Sequence, residues 1–180
     1  AAAATDAAAS GGAASALSAR LSACLQTLGV GSVEEESDGL TALMLASSQG
    51  DEACAEALLA AGAKVNAHDG QEGFTALMMA SAMGHVAVVK RLLAAAADGA
   101  LRNAGGATAL MLATFAHKRE VVLALLNAGA TEGLQSALAF AEKADLGEIS
   151  DDLRRAAAPD DARWWWWGGE APSADGGLAA

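Results

Sequence analysis

The stretch Leu40-Thr41-Ala42-Leu43-Met44-Leu45-Ala46 returns as Phe74-Thr75-Ala76-Leu77-Met78-Met79-Ala80 and again as Ala107-Thr108-Ala109-Leu110-Met111-Leu112-Ala113. The threonines Thr41, Thr75 and Thr108 are almost evenly spaced. A period of roughly 33 residues marks stacked supersecondary units, none of which can bury its apolar face alone. Stacked units present an extended surface, and surfaces of this kind usually bind other proteins.

Each copy follows one plan. An apolar-patterned helix starts after Thr41, Thr75 or Thr108, where a hydroxyl can accept a bond from an orphan amide. A break follows at Gly50, Gly84 or His117. A second helix carries Leu58-Leu59, Leu92-Leu93 or Leu125-Leu126 and ends at Gly62, Ala96 or Gly129. The glycines supply the positive φ that such breaks require. His117 tolerates the left-handed region at some strain. At Ala96 the ending glycine is missing, so Asp98-Gly99 is expected to take over the stop and leave an irregular second loop. The whole reads as helix–turn–helix–loop, repeated, which makes an all-α solenoid.

Outward from the repeats the pattern weakens. Residues 1–14 are Ala, Gly, Ser and Thr with one Asp, a flexible arm or a ragged helical lead-in. From Ser15 the spacing of Leu17, Leu21, Cys24, Leu25 and Leu28 places them on one helix face, and Gly29 stops that helix.

Composition narrows the function. The 53% hydrophobic fraction is largely alanine, which favours helix but buries little area, so Leu, Val, Met and close-packed Ala must form the core. Net charge is −11, with no basic stripe of the kind a nucleic-acid binder carries. Lys118-Arg119 and Arg154-Arg155 read as solvated helix faces. Cys24 and Cys54 lack a companion at metal-ligand spacing and read as small buried apolar side chains; a disulfide between them is open but not demanded. No apolar run approaches the ~20 residues needed to span a bilayer. The start at Ala1 instead of Met fits either a processed protein or a part of one.

Catalytic signatures are absent: no Gly-x-Ser-x-Gly, no phosphate loop, no His-Glu-x-x-His. Neither a cofactor nor a metal is expected. His68, His85 and His117 fall at different points of the repeat and form no closed zinc set. Met44, Met78 and Met111 keep helical register with Leu and Ala and read as core. The acidic run Glu34-Glu35-Glu36 reads as a solvated loop.

The phrase Gly-x-Thr-Ala-Leu-Met-x-Ala, the run Gly84-His85-Val86-Ala87-Val88-Val89-Lys90-Arg91-Leu92-Leu93, and Ala61-Gly62-Ala63-Lys64-Val65-Asn66-Ala67 together resemble the ankyrin repeat. The resemblance is strong from Asp38 to Ala130. Leu28-Gly29-Val30 lies one such period before Ala61-Gly62-Ala63, so 15–36 resembles an N-terminal capping repeat. Residues 37–69, 70–102 and 103–130 are three full repeats. Ser136-Ala137-Leu138-Ala139-Phe140-Ala141 resembles a fourth copy that arrives less than one full period after Thr108, with Ile149 and Leu153 on its second helix. That makes 131–155 a C-terminal cap and 15–155 the repeat domain, with 156–180 an extended tail. One departure is systematic: Ala and Met replace the Pro and His of the family's Thr-Pro-Leu-His phrase. Met cannot join the hydrogen-bond network that the family's His makes, so apolar packing is expected instead.

The resemblance implies a non-catalytic protein–protein interaction module with partners meeting loop tips and inner helices. By position the tips lie near Asp38, Asn66, His68, Asp69, Gln71, Glu72, Arg102 and Asn103. The inner surface includes Ser48, Gln49, Ala82, Met83, Phe115 and Ala116. Gln71, Glu72, Met83, Arg102, Asn103 and Phe115 are the candidate contacts, although Met83 and Phe115 also read as side chains covered by a neighbouring repeat.

All four tryptophans lie in the tail, as Trp164-Trp165-Trp166-Trp167. Four consecutive Trp cannot all face one core from a helix or strand, and in water they are an aggregation hazard. They are expected to dock on a partner protein or at a lipid–water boundary; a tail folded back along the acidic solenoid, or an accident of composition, is the plainer reading. Three functions therefore stand side by side. The chain is an adaptor or accessory subunit of a larger assembly, a peripheral membrane subunit anchored by its tryptophans, or a targeting fragment of a larger signalling protein. Unpaired cysteines suit a reducing cell interior, and a missing Met suits an organelle interior reached after removal of a targeting sequence.

Overall fold

The computed structural model describes residues 6–29, 31 and 40–158. The described chain is helical: α1 (Asp6–Leu28), α2 (Ala42–Gln49), α3 (Glu52–Ala60), α4 (Ala76–Met83), α5 (Val86–Ala94), α6 (Ala109–Phe115), α7 (Arg119–Asn127), α8 (Leu134–Lys143) and α9 (Gly147–Ala157). The β pairing among the described residues is one isolated antiparallel bridge, His68 to Thr75. Helices α2, α4, α6 and α8 stack as one row, the inner row of the resemblance. Helices α1, α3, α5, α7 and α9 stack as a second row behind it.

Local chemistry sets each helix start in the inner row. Thr41, Thr75 and Thr108 hold extended backbone, and each Oγ1 accepts the N–H of the residue three on: Met44 at 3.3 Å, Met78 at 3.3 Å and Met111 at 3.4 Å. Each cap satisfies one orphan donor and is worth about 1 kcal/mol. Thr108 Oγ1 also donates to the Glu132 carbonyl at 3.0 Å, which ties repeat three to the cap.

Each inner helix ends in a left-handed residue: Gly50, Gly84, His117 and, in the cap, Asp145. The next amide then bonds back to the helix, as Asp51 N to Ala46 O at 3.0 Å and Lys118 N to Ala113 O at 2.8 Å. His117 bears the strain expected of it, at φ 57°.

Ala96 corrects the expectation of an irregular second loop. It takes φ 62°, and Ala97 N bonds Leu92 O at 2.9 Å. Gly62 and Gly129 do the same through Ala63 N to Leu58 O and Ala130 N to Leu125 O, both 3.0 Å. The loop is held from outside: Asn66 Oδ1 accepts the Asp98 N–H at 2.9 Å, fixing where the chain must leave the helix. Gly99 serves close approach, because a Cβ there would lie 2.5 Å from the Ala130 Cβ.

The first helix begins at Asp6, so of the two readings open for residues 1–14 the helical lead-in holds from there on. One boundary moves. Helix α8 begins at Leu134 behind Gly133, so Ser136 lies within the helix and not at its cap. Gly133 has φ 79°, and a Cβ on it would sit 2.9 Å from Thr108 Oγ1. The shortened connection is possible because this backbone presses directly on the preceding cap.

The core runs the length of the stack. Leu43, Met44, Leu77, Met78 and Leu110 are buried from the inner row; Leu58, Val88, Val89, Leu92, Val121, Val122, Leu125, Ile149 and Leu153 from the second row. Ala42, Ala46, Ala76, Ala80, Ala109, Ala113, Ala137 and Ala141 let neighbouring helices approach closely. The methionines thus pack as expected, with Met111 half-buried against Gly133.

Cys24 and Cys54 form a disulfide that joins α1 to α3. Of the two readings the sequence left open, separate buried side chains or a disulfide, the structure takes the disulfide. Both are buried, and Leu17, Leu21, Leu25 and Leu28 pack half-buried around the contact.

Candidate protein-binding surface

Two features of the inner row fix its exposed face. The first is the join between repeats. A Cβ on Gly50 would lie 2.5 Å from His85 Nδ1, so the imidazole occupies the hollow that glycine leaves. His85 Nε2 donates to the Ser48 carbonyl at 3.0 Å, as it must, because a carbonyl only accepts. One repeat further on, Lys118 fills the hollow over Gly84 in the same way. His85 is therefore a structural link between the first and second repeats.

The second feature is a column four residues after each Thr. Residues one, two, five and six after Thr are buried in all three copies. Leu45, Met79 and Leu112, at position four, are only half-buried, as is Phe140 in the cap. Residues three or four apart share a helix face, so Met79 lies beside Met83, and Leu112 beside Phe115. Met83 is 57% exposed and Phe115 39%, the exposed large hydrophobic side chains among the described residues. Phe115 meets Phe140 edge to face, with ring centroids 4.3 Å apart and planes at 69°. An apolar strip thus crosses three consecutive inner helices.

The loop tips are less free than their sequence suggested. Asn103 is half-buried and braces its own turn, its Oδ1 accepting Ala107 N–H at 2.8 Å. Arg102 is exposed but paired with Glu132 at 2.7 Å and donates to Gly106 O at 3.2 Å. Asp69 Oδ1 accepts two amides, Glu72 N–H at 3.2 Å and Phe74 N–H at 2.7 Å. Ala104 N donates to Glu72 O at 2.8 Å, linking successive tips. The side chains of Gln71 and Glu72 are exposed. The structure brings Met83 and Phe115 into one strip and keeps Gln71, Glu72, Arg102 and Asn103 apart from it, on the loops. Trp164–Trp167, Asp38 and the acidic run at 34–36 lie outside the described residues.

The second row is polar and internally paired. Arg91 meets Glu52 at 2.9 Å and Glu56 at 3.6 Å, and Arg20 meets Glu56 at 3.5 Å. The hydrogen bond to Glu52 and the charge of Glu56 raise the Arg91 pKa above its ordinary value. Arg119 is likewise raised, first by its hydrogen bond to Asp152. Asp152 is buried and also meets Arg155 at 3.2 Å. Half-exposed pairs of this kind contribute little individually. They leave the inner row as the apolar face. Among the described residues, no group of three or more His, Cys, Asp and Glu side chains is placed to hold a metal, and no helix is long and apolar enough to cross a membrane.

A two-row stack of helix–turn–helix–loop units with capped ends and an apolar strip on one row defines a repeat solenoid of the protein-binding class. Residues 43–136, more than half of the chain, match the family model described as ankyrin repeats (3 copies). The chain belongs to the ankyrin-repeat family, whose repeats generally mediate protein–protein interaction and are typically non-catalytic. No curated protein matches the chain.

Proposed function

We propose that this chain is an adaptor or accessory subunit of a larger assembly and docks a protein partner on its inner row. The observation that carries this reading is the strip of Met83 and Phe115, exposed on a solenoid whose other row is polar. Aromatic residues and methionine are enriched in the buried core of protein interfaces, where a few residues carry most of the binding energy. Gln71 and Glu72 form the polar rim on the loop side, and the Trp164–Trp167 run provides a second contact in the assembled state. Within the cell, an organelle interior that lets the Cys24–Cys54 bond persist suits the chain better than the reducing cytoplasm.

Native purification of the chain with a Met83→Asp, Phe115→Ser double substitution tests the reading. The substituted protein should fold, since both side chains face solvent, yet lose its stoichiometric partner. Retention of the same partner by the double variant and by a chain lacking Trp164–Trp167 would remove the basis of the proposal.

A further inference from the structure

The strip has an occupant available within the same chain. We propose that, when no partner is bound, the tail after Ala158 folds back and seats Trp164–Trp167 on the α6–α8 part of the strip, Leu112, Phe115 and Phe140. The inference rests on the strip being a docking surface.

Reach permits it. Helix α9 ends at Ala157, and its antiparallel neighbour α8 belongs to the inner row. Trp164 is six residues beyond Ala158 and Trp167 nine, which span at most about 20 and 30 Å when extended. Helix α8 has 10 residues and is about 15 Å long, with neighbouring axes about 10 Å apart. Trp164 can therefore reach Phe140, and Trp167 can reach Phe115 one helix further.

Chemistry favours it. Indoles pair edge to face with Phe, and Phe115 and Phe140 already form such a pair. The tail holds Asp160, Asp161, Glu170 and Asp175 against a single Arg163, on a chain of net charge −11. An acidic tail on an acidic chain is repelled by an anionic bilayer, whereas an apolar strip imposes no such repulsion. The tether also holds the tryptophans near the strip at an effective concentration on the order of millimolar, ahead of any second copy at ordinary protein concentration. A partner that binds the strip must then displace the tail, so the tail acts as a built-in competitor.

The chain carries its own reporter, because all four tryptophans lie in the tail and none in the repeats. Intrinsic fluorescence of the chain with its tail should be blue-shifted and shielded from iodide, independently of protein concentration. Phe115→Ser should weaken docking by at least about tenfold (about 1.4 kcal/mol) and shift the emission to that of water-exposed indole. Circular dichroism of the same variant checks that the repeats remain folded, and Phe140→Ser alone gives an independent second variant. Emission identical in wild type and both variants would overturn the proposal. So would shielding that disappears on dilution, which assigns the strip to a second copy, or shielding that arises only with added anionic vesicles. None of these measurements requires a partner, so they fail separately from the adaptor reading.

Discussion

The disulfide between Cys24 and Cys54 is a covalent cross-link between the first helix and the repeats, and its removal has a calculable effect. The two residues are 30 apart in sequence. In the chain-entropy model, closing a loop of this size lowers the entropy of the unfolded chain enough to stabilise the fold by about 3.6 kcal/mol at 25 °C. Replacing both cysteines by alanine also removes apolar contacts among Leu21, Leu25 and α3, so this figure is a lower bound for the variant. In a solenoid each unit touches only its neighbours, so the loss falls on the N-terminal end. Helix α1 should detach while α2 to α9 stay stacked. Urea unfolding followed by circular dichroism, with and without reductant, reads the effect. With a slope near 2 kcal/mol/M, the midpoint for the N-terminal transition falls by roughly 2 M. Hydrogen exchange should show lost protection confined to α1 and the facing side of α3. Two outcomes refute the reasoning: a midpoint unmoved by reduction, or two free thiols titrated in the unreduced native protein.

Four further substitutions test the same structure. Ala96→Gly should stabilise the chain by about 0.5–1 kcal/mol, because relief of left-handed strain of about 1–2 kcal/mol exceeds the added entropy of the unfolded state. Gly50→Ala tests the same rule in reverse and should cost about 2–3 kcal/mol, combining that strain with displacement of His85 from the Ser48 carbonyl; thermal melts of both variants decide the signs. Asp152→Ala strips Arg119 and Arg155 of their shared buried partner and should lower the melting temperature well beyond the change from Glu148→Ala, whose carboxylate is exposed. Equal shifts for the two would show that the pairing at Asp152 does not anchor the C-terminal cap.

Where local chemistry decides a conformation, the sequence was enough. The Thr caps, the glycine breaks and the even spacing of the units each depend on neighbours within a turn, and all of them reappear in the structure. Where a distant partner decides, the sequence was silent or misleading. Ala96 lacks the residue type for its backbone angle, and only Asn66, on the preceding repeat's loop, explains why the chain turns there. Cys24 and Cys54 look like ordinary core residues until α1 is laid against α3. The start of α8 is set by the pressure of Gly133 on Thr108, a contact across repeats. The candidate surface divides in the same way. Met83 and Phe115 were legible as exposed apolar side chains because they sit at helix ends. Leu45, Met79, Leu112 and Phe140 were not, because a helical period alone reads them as core. The recurring signal was their apolar character at a fourth position, when the neighbouring positions already sufficed to fill the interior. Arg102 and Asn103 looked available because their partners, Glu132 and Ala107, come later in the chain.

The hollows over Gly50 and Gly84 give the array a direction. Each hollow accepts a side chain from the unit that follows, His85 or Lys118, much as a socket accepts a plug. His117 stands where the third socket would be, and its own Cβ closes it. The unit after it offers Leu146 in place of a basic plug, and the step from Thr108 to Ser136 is shorter than either step before it. A copy of the second repeat inserted after the first has a matching socket, whereas one inserted after the third has none. Helix α8 nevertheless stacks on α6 without such a join, so the socket marks the first two junctions of the inner row and sets the last one apart.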